Sequence, residues 1–461
     1  MGKYSTSKFR CADPINFKPI FECTRGAAWV GQWIAENFIV VHEPLCYFLF
    51  KVSRLKGEHM TAQVAVLNLS GIAVASDTFV TTFTGGEAKS MGNSQKIYEL
   101  GPQHKVAILH SGSIGINQIP HHLHLSEWSK SLSLPLPTLQ AYVDSYRTWS
   151  ASEKRMLTPG SEAKIINTTL NEHYYDLAST LDDSREGLIL EEGSSDRKRK
   201  TAIQNAYKEA ISQNLGYLNG LDNYVGVTEK SVQKSLAEHE VDVVDKVNYI
   251  FSRFELPQTE VDTLIGLASL ILLKVQPMQT DSELAFVGFG EEEPFGGVIR
   301  MTCRGLYAGV LVALAKERYK VAPTENASGI SYFAQREAMW AFIAGYTTDI
   351  MDEVKRLIWK KVEEKWGDTT EDPIGWNLAQ EIESEVQAYS QSKFIDPMLS
   401  TIEAMGLNSL AELADSLVGL QATSTYSKAG AATVGGLIEV MTIDRINGIR
   451  WMRRLPATNR D

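Results

Sequence analysis

Cysteine, long apolar runs and basic charge are all scarce in this sequence. Only four of its 461 residues are cysteine and no two form a CxxC pair, which excludes a disulfide framework. The best apolar run, residues 264–273, is too short to cross a bilayer and predicts a buried core helix. The 45 Lys and Arg are outnumbered by 56 Asp and Glu, which disfavours binding to nucleic acid or anionic membranes. We therefore expect a globular, cytoplasmic protein that binds neither nucleic acid nor a membrane.

The first 59 residues differ in character from the rest of the chain. They contain three of the four cysteines, Cys11, Cys23 and Cys46, and eight Lys or Arg against five Asp or Glu. The remaining residues contain 37 against 51. Charged residues interrupt the apolar stretch of this segment and no small-residue cleavage site follows, so it does not resemble a signal peptide. Residues 1–59 are predicted to be an N-terminal extension, either a propeptide or an upstream addition.

From Thr61 onward the pattern changes to strands. Two short apolar runs surround a turn at residues 68–71 and predict a hairpin, and because both strand faces are apolar, both are expected to be covered. The polar stretch 78–93, rich in Thr and Gly, predicts a loop. Residues 95–100 and 105–109 predict a second strand pair.

Helical and strand patterns alternate through the remainder. Residues 138–275 have helical periodicity, strand character returns at 283–290 and 298–312, and a second helical block spans 333–422. Residues 433–453 predict a closing hairpin. This order predicts an α+β fold in which helices cover both sheet faces.

Four short segments within residues 60–115 resemble a known family. The run TAQVAV from Thr61 is similar to the first strand of proteasome β subunits, and GIAVASD, ending at Asp77, is similar to their second strand. The run NSQKI around Lys96 resembles the segment with the active-site lysine, and Ser-Gly-Ser around Gly112 resembles a turn of the site. On these motifs the chain is identified as a member of the proteasome β-type N-terminal-nucleophile hydrolases, which include bacterial proteasome-like proteins.

The resemblance implies a four-layer αββα sandwich. Its first half would span residues 60–137 and its second half 279–461, with an enlarged helical segment at 138–278 between them. It also implies a threonine-type peptidase or amidase that acts on peptides or proteins and assembles as a homo-oligomeric ring. Such an assembly leaves room for an unfoldase or delivery partner, and the family's chemistry uses no cofactor and no metal.

The same resemblance implies a role for four residues. Thr61 would be the nucleophile, and its own free α-amine, which titrates near working pH, would be the base. Lys96 would stabilise negative charge on the hydroxyl, and Asp77 would fix the position and charge of Lys96. The backbone amide of Gly112 would donate to the oxyanion of the tetrahedral intermediate.

Each of these residues also has an ordinary structural interpretation. Thr61 suits a strand, Asp77 a turn, Lys96 a strand edge and Gly112 a turn. The catalytic interpretation requires a free amine on Thr61, either by cleavage of a propeptide or by translation from Met60. The alternative is a catalytically inactive scaffold or assembly protein of the same fold.

Three histidines, His121, His122 and His124, lie close together in the sequence. A zinc site usually adds carboxylate or cysteine ligands at matched spacing, and none accompanies them here. We therefore predict that they lie on a solvent-exposed loop and bind no metal.

Overall fold

A computed structural model describes residues 61–84, 87–158, 160–188, 195–366, 374–427 and 433–456. The predicted extension over residues 1–59 lies outside these ranges. Its boundary, like the division of the chain at residues 138 and 278, stays a prediction.

The described residues form fourteen strands, and all their pairings are antiparallel. In chain order these are β1 (Ala62–Asn68), β2 (Gly71–Ser76), β3 (Phe79–Thr84), β4 (Glu87–Asn93), β5 (Ile97–Glu99), β6 (Val106–Gly112), β7 (Gly115–Ile116), β8 (Ile119–Pro120), β9 (Ser282–Gly288), β10 (Gly297–Tyr307), β11 (Val310–Lys320), β12 (Ser328–Ala334), β13 (Glu439–Asp444) and β14 (Gly448–Arg453). The first sheet has the order β12-β1-β2-β13-β14, and the second sheet has the order β11-β10-β9-β6-β5. Two further pairs, β3-β4 and β7-β8, stand apart from both sheets.

Twelve α-helices connect and cover these strands within the described ranges. They are α1 (His121–Ser131), α2 (Leu139–Ser152), α3 (Ser161–Glu186), α4 (Asp196–Gly220), α5 (Glu229–Glu238), α6 (Val243–Phe251), α7 (Gln258–Leu273), α8 (Glu337–Ala344), α9 (Thr348–Trp366), α10 (Ile374–Ser390), α11 (Asp396–Ala404) and α12 (Leu407–Ser427). Helix α2 begins where the Thr138 side chain accepts a hydrogen bond from the amide of Ala141, which satisfies one of the free amides of its first turn.

The two sheets pack face to face through one apolar core. Ala65 and Leu67 of β1 contribute from the first sheet, and Ala107, Leu109 and Val287 contribute from the second. Every residue of β1 and β2 is buried, which confirms that both faces of the predicted hairpin are covered. The sheets bury their second faces against helices, because an apolar strand face left in water would be unfavourable.

The outer face of the second sheet packs against α1 and α2. Trp128 of α1, Tyr146 of α2 and Phe286 of β9 are fully buried there and contact one another through their rings. The outer face of the first sheet packs against α8, α11 and α12, which contribute residues such as Met339 and Leu410.

Helices α3 to α7 have an apolar core of their own. It is formed by residues such as Leu170, Ile211 and Leu267, and it includes Tyr307 and Val312 from β10 and β11. The predicted helical segment therefore packs on the second sheet where β10 ends and β11 begins. Altogether the described residues form a mixed α/β architecture with antiparallel sheets and helices. No helix among them is long and apolar enough to span a membrane.

One prediction about an individual element is wrong, and the structure refines two others. The predicted loop at 78–93 is the hairpin β3-β4. The Thr residues that made the segment look polar favour strands, as do the Phe residues between them. The strand character predicted over 298–312 belongs to two strands, β10 and β11, which a turn at Ala308-Gly309 separates. Both of these residues have positive φ, which allows a tight two-residue turn. The helical block predicted from about residue 333 begins at Glu337 of α8, because residues 333 and 334 are the last residues of strand β12.

Replacing Phe286 by Ala tests the packing on the outer face of the second sheet. We expect a loss of about 3–5 kcal/mol in the free energy of unfolding, because a fully buried ring leaves a cavity. Phe342→Ala is the matched control: this ring is 57% exposed, and its removal should change the value by less than about 0.5 kcal/mol. Urea unfolding measures the free energy of unfolding of both variants. Similar losses in the two would contradict the described core.

Candidate active site

Strands β1 and β2 bring Thr61 and Asp77 to the same end of the first sheet. Their antiparallel register pairs Gln63 with Ser76, so the residue before β1 lies beside the residue after β2. The amide of Ala62 donates to Asp77 Oδ1 (3.0 Å), and the amide of Asp77 donates to the Ala62 carbonyl (3.1 Å). The hairpin predicted from the sequence therefore fixes the aspartate beside the threonine.

Lys96 connects these two residues. It directly precedes β5 of the second sheet, and its Nζ donates to Thr61 Oγ1 (2.8 Å) and to Asp77 Oδ1 (2.9 Å). All three side chains are buried. The structure thus brings together three of the four site residues singled out from the sequence, although they come from separate elements of both sheets.

Burial and charge act in opposite directions on the two ionisable groups. Burial raises the pKa of Asp77 above its ordinary value, while the charge and hydrogen bond of Lys96 lower it. Burial also lowers the pKa of Lys96, while Asp77 and then Glu439 raise it. Asp77 Oδ1 accepts hydrogen bonds from the Ala62 amide and the Lys96 ammonium, and Oδ2 accepts one from the Gly435 amide; three donors, one of them charged, favour the carboxylate over its protonated form. We conclude that Asp77 is a carboxylate paired with an ammonium.

The arrangement leaves the Thr61 hydroxyl free to give up its proton. Because Lys96 donates to Thr61 Oγ1, the hydroxyl hydrogen can be directed to a base elsewhere. An ammonium 2.8 Å from this oxygen also favours the alkoxide form, since opposite charges at short range in a buried site attract strongly. The geometry suits nucleophilic attack by Thr61.

Residues far along the chain complete the site, and the sequence did not reveal them. The amide of Gly435 donates to Asp77 Oδ2 (3.2 Å). The amide of Gln335 donates to the carbonyl of Thr61 (2.8 Å), and the Gln335 side chain accepts from Thr433 Oγ1 (3.1 Å). The Gly-Gly pair at 435–436 is a sequence signal for a close backbone approach. In the structure a Cβ on Gly435 would lie 2.5 Å from the Tyr426 hydroxyl, so only glycine fits there.

A second buried carboxylate, Glu439, lies on the other side of Lys96. It is the first residue of β13 and pairs with Ser76 across the first sheet. Its Oε2 accepts from the backbone amide of Lys96 (3.3 Å), and its Oε1 accepts from the amide of Leu455 (3.1 Å). Lys96 is therefore held at its ammonium by Asp77 and at its main chain by Glu439.

His110 of β6 also borders the site. Its amide donates to the Lys96 carbonyl (3.1 Å), and its own carbonyl accepts from Gln63 Nε2 (3.1 Å). Burial, followed by the neighbouring His121, holds the pKa of His110 well below its ordinary value. This histidine is accordingly neutral at ordinary pH and adds no positive charge beside Lys96.

Gly112, the fourth predicted site residue, is the last residue of β6. It pairs with Ser282 of β9 and has φ near 81°, and an added Cβ would lie 2.4 Å from the Asp281 carbonyl. Its conformation and this close approach explain the glycine. No hydrogen bond of the described residues links Gly112 to Thr61, Asp77 or Lys96, so its predicted role at the oxyanion stays a prediction.

The histidine cluster differs from the exposed loop predicted for it. His121 and His124 lie in the first turn of α1 and are buried, and only His122 is exposed. Burial lowers the pKa of both His121 and His124 to about 4. They pack as neutral rings, with His124 Nδ1 at 2.9 Å from the Tyr146 hydroxyl. Within the described ranges, no group of three or more His, Cys, Asp or Glu could hold a metal ion.

Comparisons with known proteins correct the family identification. No family model matches the chain, and no curated protein matches it. A solved structure described as an Anbu (Gly-1) mutant from Hyphomicrobium sp. strain MC1 is similar at 10% identity over 85% of each chain, with a TM-score of 0.25. A likeness this distant carries no argument. The identification of the chain with the proteasome β-type N-terminal-nucleophile hydrolases is therefore wrong as it stands, because four short motifs do not establish a family.

Replacing Lys96 by Met tests the buried ion pair. The variant leaves the Asp77 carboxylate buried without its partner, and we expect a loss of roughly 3–5 kcal/mol in the free energy of unfolding. The double variant Asp77→Asn/Lys96→Met removes both charges and should recover a large part of this loss. Urea unfolding of the three proteins provides the values. A double variant less stable than Lys96→Met alone would contradict the pairing.

Proposed function

We propose that this chain is a threonine-type hydrolase that cleaves peptide or amide bonds, with N-terminal Thr61 as its nucleophile. The observation that carries the proposal is the contact between Lys96 Nζ and Thr61 Oγ1 at 2.8 Å, in a buried site that also contains Asp77. A strand threonine needs no buried ammonium on its hydroxyl, and a structural ion pair needs no threonine. Their combination is what nucleophilic catalysis requires.

The reaction begins with attack of Thr61 Oγ1 on the carbonyl carbon of the substrate. The Oγ–C bond forms, the hydroxyl proton moves to the free α-amine of Thr61, and the carbonyl oxygen becomes an oxyanion. The C–N bond then breaks as that proton passes to the leaving amine. Water hydrolyses the resulting ester and restores Thr61. Throughout, the Lys96 ammonium stabilises negative charge at Oγ, and the amide of Gly112 is proposed to donate to the oxyanion.

The base determines when the enzyme becomes active. An α-amine titrates at about 7.7–8.0 and can accept and return a proton near neutral pH, whereas the amide nitrogen of an internal residue cannot. The proposal therefore requires that the bond between Met60 and Thr61 be absent from the working enzyme. A chain that keeps this bond fits the second candidate, an inactive scaffold, and the presence of Met60 before Thr61 in the sequence is the observation that favours it.

The finer part of the fold prediction belongs to this proposal. Two facing sheets between outer helices would form a four-layer sandwich, and α3 to α7 would be its enlarged helical segment. The site would lie between the layers at the end where β1 begins. The substrate would then enter from this end of the sheets, and the paired apolar faces would keep water from the rest of the interior.

The partner part of the proposal is self-assembly through the hairpin of α9 and α10. The groove between these helices exposes Leu357, Leu378 and Ile382 in part, beside the exposed Lys361 and Lys365. Lys361 also pairs with Glu364 of its own helix at 2.7 Å, so a partner's glutamate would share this lysine. The exposed Glu381 and Glu385 of α10 have the same four-residue spacing as these lysines. A second copy related by a two-fold axis could place its glutamates opposite these lysines and cover the apolar groove. Closure into a ring needs a second, head-to-tail contact surface, because a two-fold contact closes on itself as a dimer. A ring of such dimers, with a separate unfoldase or delivery partner, extends the same proposal.

A threonine-directed electrophile tests the nucleophile. We expect one adduct per chain, on Thr61, when protein produced from Met60 is treated and its intact mass is measured, because removal of Met60 frees the amine. Thr61→Ala should form no adduct, and Thr423→Ala, which changes an exposed threonine of α12, should react like the wild type. If wild type and Thr61→Ala behave alike, the scaffold is favoured instead.

The pH dependence of this reaction follows from the base and from Lys96. The rate should rise as the α-amine loses its proton, at or below the 7.7–8.0 that is usual for such a group, because the neighbouring Lys96 ammonium disfavours a second positive charge. It should fall again as Lys96 loses its proton, and because burial lowers the pKa of Lys96, this fall occurs below the ordinary value of 10.5. Asp77→Asn removes the charge that opposes this shift and should move the alkaline fall to lower pH. A rate that is still rising at pH 10.5 would contradict the role of Lys96.

Leu357→Asp tests the assembly surface by placing a charge in the apolar groove. In sedimentation velocity the wild type should form a species heavier than one chain, and Leu357→Asp should shift it toward the monomer, because a buried unpaired carboxylate is costly. Ile446→Asp is the control, since Ile446 is 90% exposed in the turn between β13 and β14. A monomeric wild type, or equal effects of the two substitutions, would contradict self-assembly through this groove.

A further inference from the structure

Glu439 is a buried carboxylate that the proposed reaction does not use directly. Its side chain is fully inaccessible, and it stands opposite Ser76, the residue before Asp77, on the neighbouring strand. Burying a carboxylate is unfavourable unless it is hydrogen-bonded and paired with a charge. Two acids therefore lie on adjacent strands at the same end of the first sheet, next to one lysine.

The contacts of Glu439 lead to Lys96 rather than to solvent. One oxygen accepts from the Lys96 amide at 3.3 Å, and the other accepts from the amide of Leu455, just beyond β14, at 3.1 Å. The cations that face it are Lys96 and Arg454. Glu439 thus links the start of β5 to the end of the closing hairpin, at the residue whose ammonium contacts Thr61.

We propose that Glu439 is a positioning residue of the Thr61 site, which fixes the main chain of Lys96 and supplies a second negative charge that keeps its ammonium protonated. This inference rests on the proposed function, because it assigns a role within the same site. Burial disfavours the positive charge of Lys96, and without Glu439 only Asp77 would stabilise that charge. A second carboxylate reduces that cost without occupying the space beside the Thr61 hydroxyl.

Positioning matters because the lysine side chain is long and flexible. A flexible four-carbon stem separates the ammonium from the main chain. The contacts of the ammonium with Thr61 at 2.8 Å and with Asp77 at 2.9 Å therefore depend on where the main chain enters β5. Glu439 defines that entry together with the amide of His110, which donates to the Lys96 carbonyl. Its charge also opposes the burial that lowers the pKa of Lys96.

The test is a titration of Lys96 by NMR in the full chain with isotope-labelled lysine, assigned by comparison with Lys96→Met. In Glu439→Gln we expect the pKa of Lys96 to fall, by less than on loss of Asp77, because Glu439 contributes less than Asp77 to raising it. Asp77→Asn is the reference for loss of a direct partner and should lower it as well. Glu412→Gln, which changes an exposed glutamate of α12, should leave the titration unchanged.

An unchanged titration of Lys96 in folded Glu439→Gln would overturn the inference. If this variant does not fold, Glu439→Asp replaces it: the charge stays but withdraws by one methylene, so a smaller fall is expected, and no fall again overturns the inference. The titration needs no turnover. A shifted Lys96 in a protein that never forms an adduct on Thr61 would therefore contradict the proposed function and leave the role of Glu439 intact.

Discussion

The buried ion pair between Lys96 and Asp77 is the interaction on which the surrounding structure depends. An ammonium and a carboxylate removed from water are unfavourable unless each finds partners in a fixed geometry. The amides of Ala62 and Gly435 supply two of these partners for Asp77, and Glu439 supplies one for the main chain of Lys96. The Thr61 hydroxyl then completes the surroundings of the ammonium. A site of this kind requires both sheets to be in place.

The architecture meets this requirement by joining distant parts of the chain. The first sheet places β13, from the end of the chain, beside β2 from its beginning. The apolar core between the sheets fixes the position of β5, and with it Lys96, relative to β1. Stability and site geometry are therefore coupled, since a shift of one sheet against the other would separate the ammonium from both of its partners. We regard the rigid core as the support of the site.

The sequence predicted the local parts of this arrangement better than the distant ones. The hairpin of β1 and β2 follows from two apolar runs around a short turn, and its register alone places Asp77 beside Thr61. The strand β12 and the contacts of Gln335 and Glu439 depend on pairing across hundreds of residues, which no local pattern encodes. The β3-β4 hairpin was missed because threonine suits both loops and strands. The burial of His121 and His124 was missed because a buried neutral ring leaves no periodic signal in the sequence.

The central claim is that Thr61 becomes the first residue of the working protein, with its amine free beside the Lys96 ammonium. N-terminal sequencing of the protein isolated from the cells that naturally produce it tests this claim most directly. The account predicts a mature chain that begins at Thr61. A mature chain that begins at Met1 would leave an amide where the base is required and would contradict the account.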